Sequence, residues 1–360
     1  MINMTEKPAE HHSVETKKQR IEANWRLEPL DEVPFIIEVG PLHVATADFF
    51  ADHQAELAWN EDFHRKRERV YDYAFPNSKP NKGINIVAAA FGCPCTVNNQ
   101  ADPWVTPLIR EENIQDVYKL EIPDPADNPV FAAAWERVEF LQNRSAMPLR
   151  LVNVPSPLVS ASLIWEYTSF IEATVMYPEE VHALMEKVTC ATIGYIKEQL
   201  KRITNRYTMG HELWYIPRDA GVRISDDTAA LLSPALYREF GVKYNAMIAE
   251  AVGGVVVHSC GDVSHVAPVM MEIPGLRGLD FTIPQVSRWD AVRDAAAGKT
   301  ALCLRHCYWD HGHGAKVDLA AYSKQLVDFF GPKGLFIHTS TPAAEEAEAL
   351  GNALRRLLSR

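Results

Sequence analysis

Short apolar runs and amphipathic stretches alternate along most of this chain, and no other feature constrains the fold as strongly. "VPFIIEVG" (33–40), "LRLVNVPSP" (149–157), "AGVRISDD" (220–227), "GGVVVHSCGD" (253–262), "LRGLDF" (276–281), "KTALCLRHC" (299–307) and "KGLFIHTS" (333–340) each read as a buried strand. Between them lie helical stretches such as "EEVHALMEKVTCATIGYIKEQLKRI", "SPALYREFGVKYNAMIAEA" and "LAAYSKQLVDFF", the second opening on a Ser-Pro pair suited to a helix start. Strand and helix repeated in this way build a parallel sheet covered by helices. No glycine-rich phosphate loop is present, so a closed (β/α)8 TIM barrel is expected rather than a doubly wound sheet.

The 360 residues suit one large barrel with extensions better than two small domains. Residues 1–32 read as a polar, helix-prone N-terminal arm, a surface segment or part of a homodimer contact, and residues 33–360 as the barrel. The stretch from about 60 to 150 is rich in Pro and Asn and breaks the alternation. It is expected to be an insertion over the barrel mouth, a lid or partner surface, because barrel active sites sit at the C-terminal ends of the strands.

A net charge of -11 argues against a nucleic-acid partner, and against a polyanionic substrate unless Arg or Lys is concentrated locally. The one dense basic run, "HRKRERVYDY" (64–73), carries interleaved acids and reads as a solvated helix face. No apolar run approaches the ~18 to 20 residues of a membrane span. The first residues have no apolar signal core, so a cytoplasmic location is expected. Six cysteines at irregular spacing make no disulfide framework and are expected as free thiols.

Parity along the strands selects the candidate chemistry. In "VVVHSCG" the alternation puts His258 and Cys260 on one face with Val256. In "TALCLRHCYW" the leucines turn to the helices, leaving Cys303, Arg305 and Cys307 inward. In "GLFIHTS" the inward set is Phe336, His338 and Ser340. Imidazole and thiolate together select a borderline-soft ion such as zinc, and a catalytic zinc takes three protein ligands plus an open position. His258 and Cys260, with either Cys307 or His338, would meet that need. Cys303 lies deeper and reads as core. Glu38, Asp226, Asp227 and Asp280 end strands, where a carboxylate can work as acid or base, orient a ligating His or bind substrate. Asp226 and Asp227 also stand where a helix cap is expected. "CPC" (93–95) has no helix start after it to lower a thiol pKa, and "HCYWDHGHG" (306–314) reads equally as a rim loop or as substrate contacts.

Taken in order, "AAFGCPCTVNNQADPWVTPLI", "NVPSPLVSASLIWEYTSFIEATVMYPEEVHALM", "GVRISDDTAALLSPALYREF", "VVHSCGDVSHVAPVM" and "GLRGLDFTIPQ" resemble the uroporphyrinogen decarboxylase superfamily, and more particularly its cobalamin- and zinc-dependent methyltransferases. The resemblance covers about residues 33–358 and implies a (β/α)8 barrel. In that branch a His-x-Cys motif and a later Cys hold zinc, and His258 and Cys260 match the motif. The later Cys is replaced by Thr341, so the resemblance also implies that Cys307 or His338 substitutes or that the site is altered. The true decarboxylases carry an Arg-rich N-terminal motif for an acidic tetrapyrrole, whereas "FIIEVGPLHVATADFF" has Glu38 and no Arg.

The resemblance thus implies a zinc-dependent methyltransferase that moves a methyl group between a small methylated substrate, or a thiol or folate acceptor, and a corrinoid (cobalamin) protein. His258, Cys260 and Cys307 or His338 would hold zinc, and Glu38, Asp226 and Asp280 would orient substrate or ligands. No corrinoid-binding module is evident, so a partner protein would bring that cofactor. The rival expectations are a cobalamin-independent lyase or decarboxylase of a small carboxylate, and a non-catalytic member.

Overall fold

The computed structural model describes residues 13–40, 52–81, 83–97, 103–312 and 316–359. Six parallel strands, β1 (Phe35–Val39), β4 (Val222–Ser225), β5 (Val255–Ser259), β6 (Leu276–Thr282), β7 (Ala301–Arg305) and β8 (Leu335–Thr341), run in the order β1-β8-β7-β6-β5-β4. A short antiparallel pair, β2 (Cys95–Thr96) and β3 (Trp104–Val105), stands apart. The strands of the main sheet are rich in Val, Ile, Leu and Phe and are buried along almost their whole length, as parallel strands covered on both faces must be.

Two irregular segments close the ring between β1 and β4. Tyr73 N–H donates to Phe35 O (2.9 Å), Ser78 N–H to Pro148 O (2.9 Å) and Arg150 N–H to Ser78 O (2.9 Å). On the far side Ser225 N–H donates to Val154 O (3.0 Å) and Ser156 N–H to Ser225 O (2.7 Å). Residues 73–78 and 148–156 therefore fill the second and third places, and the chain is a (β/α)8 barrel. Prolines 76, 148 and 155 each remove a ladder donor, which is why these places are held by single bridges. The stretch 60–150, expected as an insertion, thus also supplies one barrel place.

Helices cover the outside. The helix Pro178–Arg202 packs on the helices Pro157–Ile164 and Lys243–Val252. Ser156 caps the helix Pro157–Ile164 by accepting from Val159 N–H (3.1 Å). Among the described residues no helix is long and apolar enough to cross a membrane.

The N-terminal arm differs from the expected surface segment. Its helix, Val14–Trp25, is polar over most of its length, yet Ile21, Asn24 and Trp25 are buried. Asn24 Nδ2 donates to Leu335 O (2.7 Å) and Trp25 Nε1 to Tyr215 O (3.1 Å), which ties the helix to the N-terminal ends of the strands. The Trp25 ring stands 5.2 Å from that of Phe336, and a Cβ on Gly278 would come within 2.7 Å of it. Three well-placed residues suffice to plug the barrel floor, too few to show as an apolar stripe. Trp25→Ala is expected to cost about 3–5 kcal/mol of stability, read as a lower urea midpoint, without changing the strand-end chemistry.

Candidate active site

Parallel register stacks polar side chains at the C-terminal ends of the strands. Ser225, His258 and Asp280 are in register across β4, β5 and β6, and Arg305 and His338 are in register two residues further on, since Asp280 itself pairs with Cys303. Above them opens a cavity of about 270 Å³ lined by Glu38, Trp59, Phe63, Lys79, Arg150 and Asn153 on one side, and by Glu212, Arg223, Asp227, His258, Cys260 and Arg305 on the other. A larger cavity of about 510 Å³ lies at the floor beside Lys18, Arg206 and Tyr215. It contains neither of the groups that could hold a metal, so chemistry rather than size selects the strand-end cavity.

His258 Nε2 lies 3.0 Å from Cys260 Sγ and 3.9 Å from Asp227 Oδ1, and the three side chains form one potential ligand group. Zinc bonds of ~2.3 Å to sulfur and ~2.0 Å to nitrogen or oxygen, spread tetrahedrally, hold ligand atoms roughly 3.5 Å apart. The observed spacing brackets that value, so the donor set fits the ion. Cys260 N–H donates to Asp227 Oδ1 (2.7 Å), which fixes the carboxylate beside the thiol. Asp227 is the member that the sequence left open between a strand-end acid and a helix cap and did not place among the metal ligands.

Cys307 and His338 fall in a second group, with Glu38, where all three are buried. Glu38 Oε1 lies 3.5 Å from His338 Nε2, and although burial works against ionisation, His338 holds Glu38 below the usual carboxylate range. Burial pushes the Cys307 thiol well up, so it is a neutral thiol. Cys307 leaves the alternation because β7 ends at Arg305 and a 3₁₀ turn, Tyr308–His311, follows. His306 is buried against Ser323 Oγ (2.9 Å), away from the cavity; residues 313–315 of the histidine-rich run lie outside the described residues.

Behind the first group runs an ionic relay. His258 Nδ1 is 3.2 Å from Asp280 Oδ2, Asp280 accepts from Arg223 Nε (2.7 Å), and Arg223 Nη1 donates to His211 Nε2 (2.9 Å). Burial and Arg223 depress the basicity of His258, but the Cys260 thiolate and Asp280 outweigh them and raise its pKa to about 10. Burial raises the Cys260 thiol, and the charged His258 more than reverses this, leaving it below an ordinary thiol. Asp280, although buried, is held strongly ionised by Arg223 and His258. His211, buried next to Arg223, is held neutral.

Asp226 is separated from these groups. It points into the helical layer, accepting from Ser156 Oγ (2.7 Å), Tyr237 OH (2.9 Å) and Asn245 Nδ2 (2.9 Å). Burial raises its pKa against the pull of those three donors.

The comparisons agree with this architecture. The family model described as uroporphyrinogen decarboxylase (URO-D) matches residues 69–209. Uroporphyrinogen decarboxylases of Coxiella burnetii strains are 31% identical over 160 residues, which is 42% of this chain and 39% of theirs. Over these residues the chain is similar to the uroporphyrinogen decarboxylase superfamily. Its matched stretch spans about two fifths of the length of those relatives, 39%. A methyltransferase from Methanosarcina mazei shares the fold, superposing with a TM-score of 0.70 at 16% identity and covering 94% of this chain and 98% of that one.

Two outcomes follow from the electrostatics. In metal-free protein, iodoacetamide at pH 7 is expected to label Cys260 faster than an ordinary thiol, because a lowered pKa enlarges the thiolate fraction. His258→Ala should slow that labelling while Cys307 stays unlabelled in both proteins, as read by peptide mass spectrometry. Asp226→Ala leaves three buried donors without their acceptor and is expected to destabilise the fold by at least about 1–3 kcal/mol in urea unfolding.

Proposed function

We propose that the chain is a zinc-dependent methyltransferase that moves a methyl group between a small methylated substrate, or a thiol or folate acceptor, and a corrinoid protein. The observation that carries this reading is the Asp227, His258 and Cys260 group at the cavity wall, with a thiol already biased towards thiolate. The likeness of the whole chain to a methyltransferase supports it.

His258 Nε2, Cys260 Sγ and an Asp227 oxygen would hold the ion at the cavity wall. Bound zinc supplies a Lewis acid that lowers the pKa of a thiol or polarises a methylated heteroatom. The chain's own residues prepare the place. Asp280 faces His258 Nδ1 and so fixes the ring with Nε2 directed at the cavity, as a carboxylate behind a ligating imidazole does. Arg223 clamps Asp280 in turn. Arg305 Nη2, 3.7 Å from Cys260 Sγ, favours the thiolate. Glu38 and His338 form a second acid–base pair, with Glu38 reaching the cavity wall. Asp226 positions the end of β4, and with it Asp227, by tying it to two helices.

Elemental analysis of the purified chain should find about one zinc per protein. His258→Ala and Cys260→Ala should abolish retention, and Asp280→Asn should weaken it about 10–100-fold. Methyl-cobalamin turnover with a thiol acceptor should disappear with the metal. A chain with no zinc would sink the reading. The alternative, a lyase acting on a small carboxylate, is favoured by the buried Glu38 and His338 pair, and it requires turnover that survives chelation.

A further inference from the structure

The cavity is locally cationic in a chain of net charge -11. Lys79, Arg150, Arg223 and Arg305 line it. Three of them have acidic partners: Arg223 is paired with Asp280 at 2.7 Å, Arg305 with Asp310 at 3.4 Å, and Lys79 with Glu212 at 3.7 Å. Arg150 differs. It is 4% exposed, yet among the described residues no carboxylate comes within 4.0 Å of it. Its Nε donates to Asn77 Oδ1, and its Nη1 makes only a 3.5 Å contact with His211 O. The remaining edge of the guanidinium is left for whatever enters the cavity.

A buried guanidinium without a counter-charge is costly, and a ligand anion is what relieves it. Burial also lowers the pKa of Arg150, to about 10, with Glu212 and Glu38 only partly compensating at a distance. Bidentate donors of this kind match a carboxylate. Beside Arg150 the same cavity has an apolar wall: the rings of Trp59 and Phe63 are stacked with centroids 5.5 Å apart, and Ile84 adjoins them. A cavity of about 270 Å³ admits a small molecule.

We propose that Arg150, assisted by Lys79, is the carboxylate-binding subsite of the cavity, and that the substrate is a small carboxylic acid whose apolar body lies against Trp59, Phe63 and Ile84. This deepens the reading of the cavity as the substrate site. In that reading the methylated heteroatom lies at the opposite end of the same molecule, towards Cys260.

The full-length protein as purified is titrated calorimetrically with sodium benzoate and with benzyl alcohol, its neutral counterpart. Benzoate should bind saturably and at least about tenfold more tightly than the alcohol, and R150Q should weaken benzoate at least about tenfold with zinc content unchanged. K79M should weaken it about threefold or more. Absence of benzoate binding, equal binding of the two compounds, or undiminished benzoate affinity in R150Q would overturn the proposal. Should R150Q fail to fold, undiminished affinity in K79M overturns it instead. Benzoate binding that obeys these expectations in a protein devoid of zinc leaves the subsite standing and removes the methyltransfer reading, so the two fail separately.

Discussion

The relay from His211 through Arg223 and Asp280 to His258 is the constraint around which the strand ends are arranged. It crosses the barrel interior, where an unpaired charge would be costly and where one carboxylate must face both a guanidinium and an imidazole. Arg223 sits on β4, His258 on β5 and Asp280 on β6, so the relay fastens three adjacent strands, with Arg223 two residues below the level that His258 and Asp280 share. A one-residue slip in any of them would carry its charged group to the helical side of the sheet. The ionic chain therefore fixes register as well as charge. The thiolate bias of Cys260 is coupled to it, because the thiolate itself and then Asp280 keep the imidazole charged.

The two cysteine groups show how environment assigns different chemistry to the same residue types. Cys260 shares its surroundings with a charged imidazole and a guanidinium and opens to the cavity. Cys307 sits among buried groups, and the ionised Glu38 nearby disfavours its thiolate. Among the described residues, a soft cation seeking thiolate, imidazole and carboxylate meets a thiol biased towards thiolate at Cys260 and a neutral thiol at Cys307.

Most of the fold was legible from the alternation of strand and helix, since all seven strand readings fall on barrel places. What was not legible has local causes. The second barrel place, residues 73–78, is built from a proline-containing stretch with no alternation. The pairing of His258 with Cys260 could be read from parity because β5 is regular through Ser259. Cys307 could not, because parity ends where the strand does. The choice between Asp226 and Asp227 is made by the turn after Ser225, which sends the first side chain to Ser156, Tyr237 and Asn245 and the second to the cavity. Arg150 was the missed clue: a guanidinium inside "LRLVNV" is a charge in an otherwise apolar strand, and such a charge requires a partner.

Trp25, Trp214 and Phe336 meet at the floor of the barrel, with ring centroids 5.2 Å apart between Trp25 and Phe336 and 4.9 Å between Trp214 and Phe336. They make the barrel a blind well. Anything that reaches Cys260 must come in by the mouth and go out the same way, so a bulky second reactant and a departing product compete for one passage. Traffic of that kind imposes an order on any two reactants that meet there: the smaller must enter first, and its product leaves only after the larger has withdrawn from the mouth.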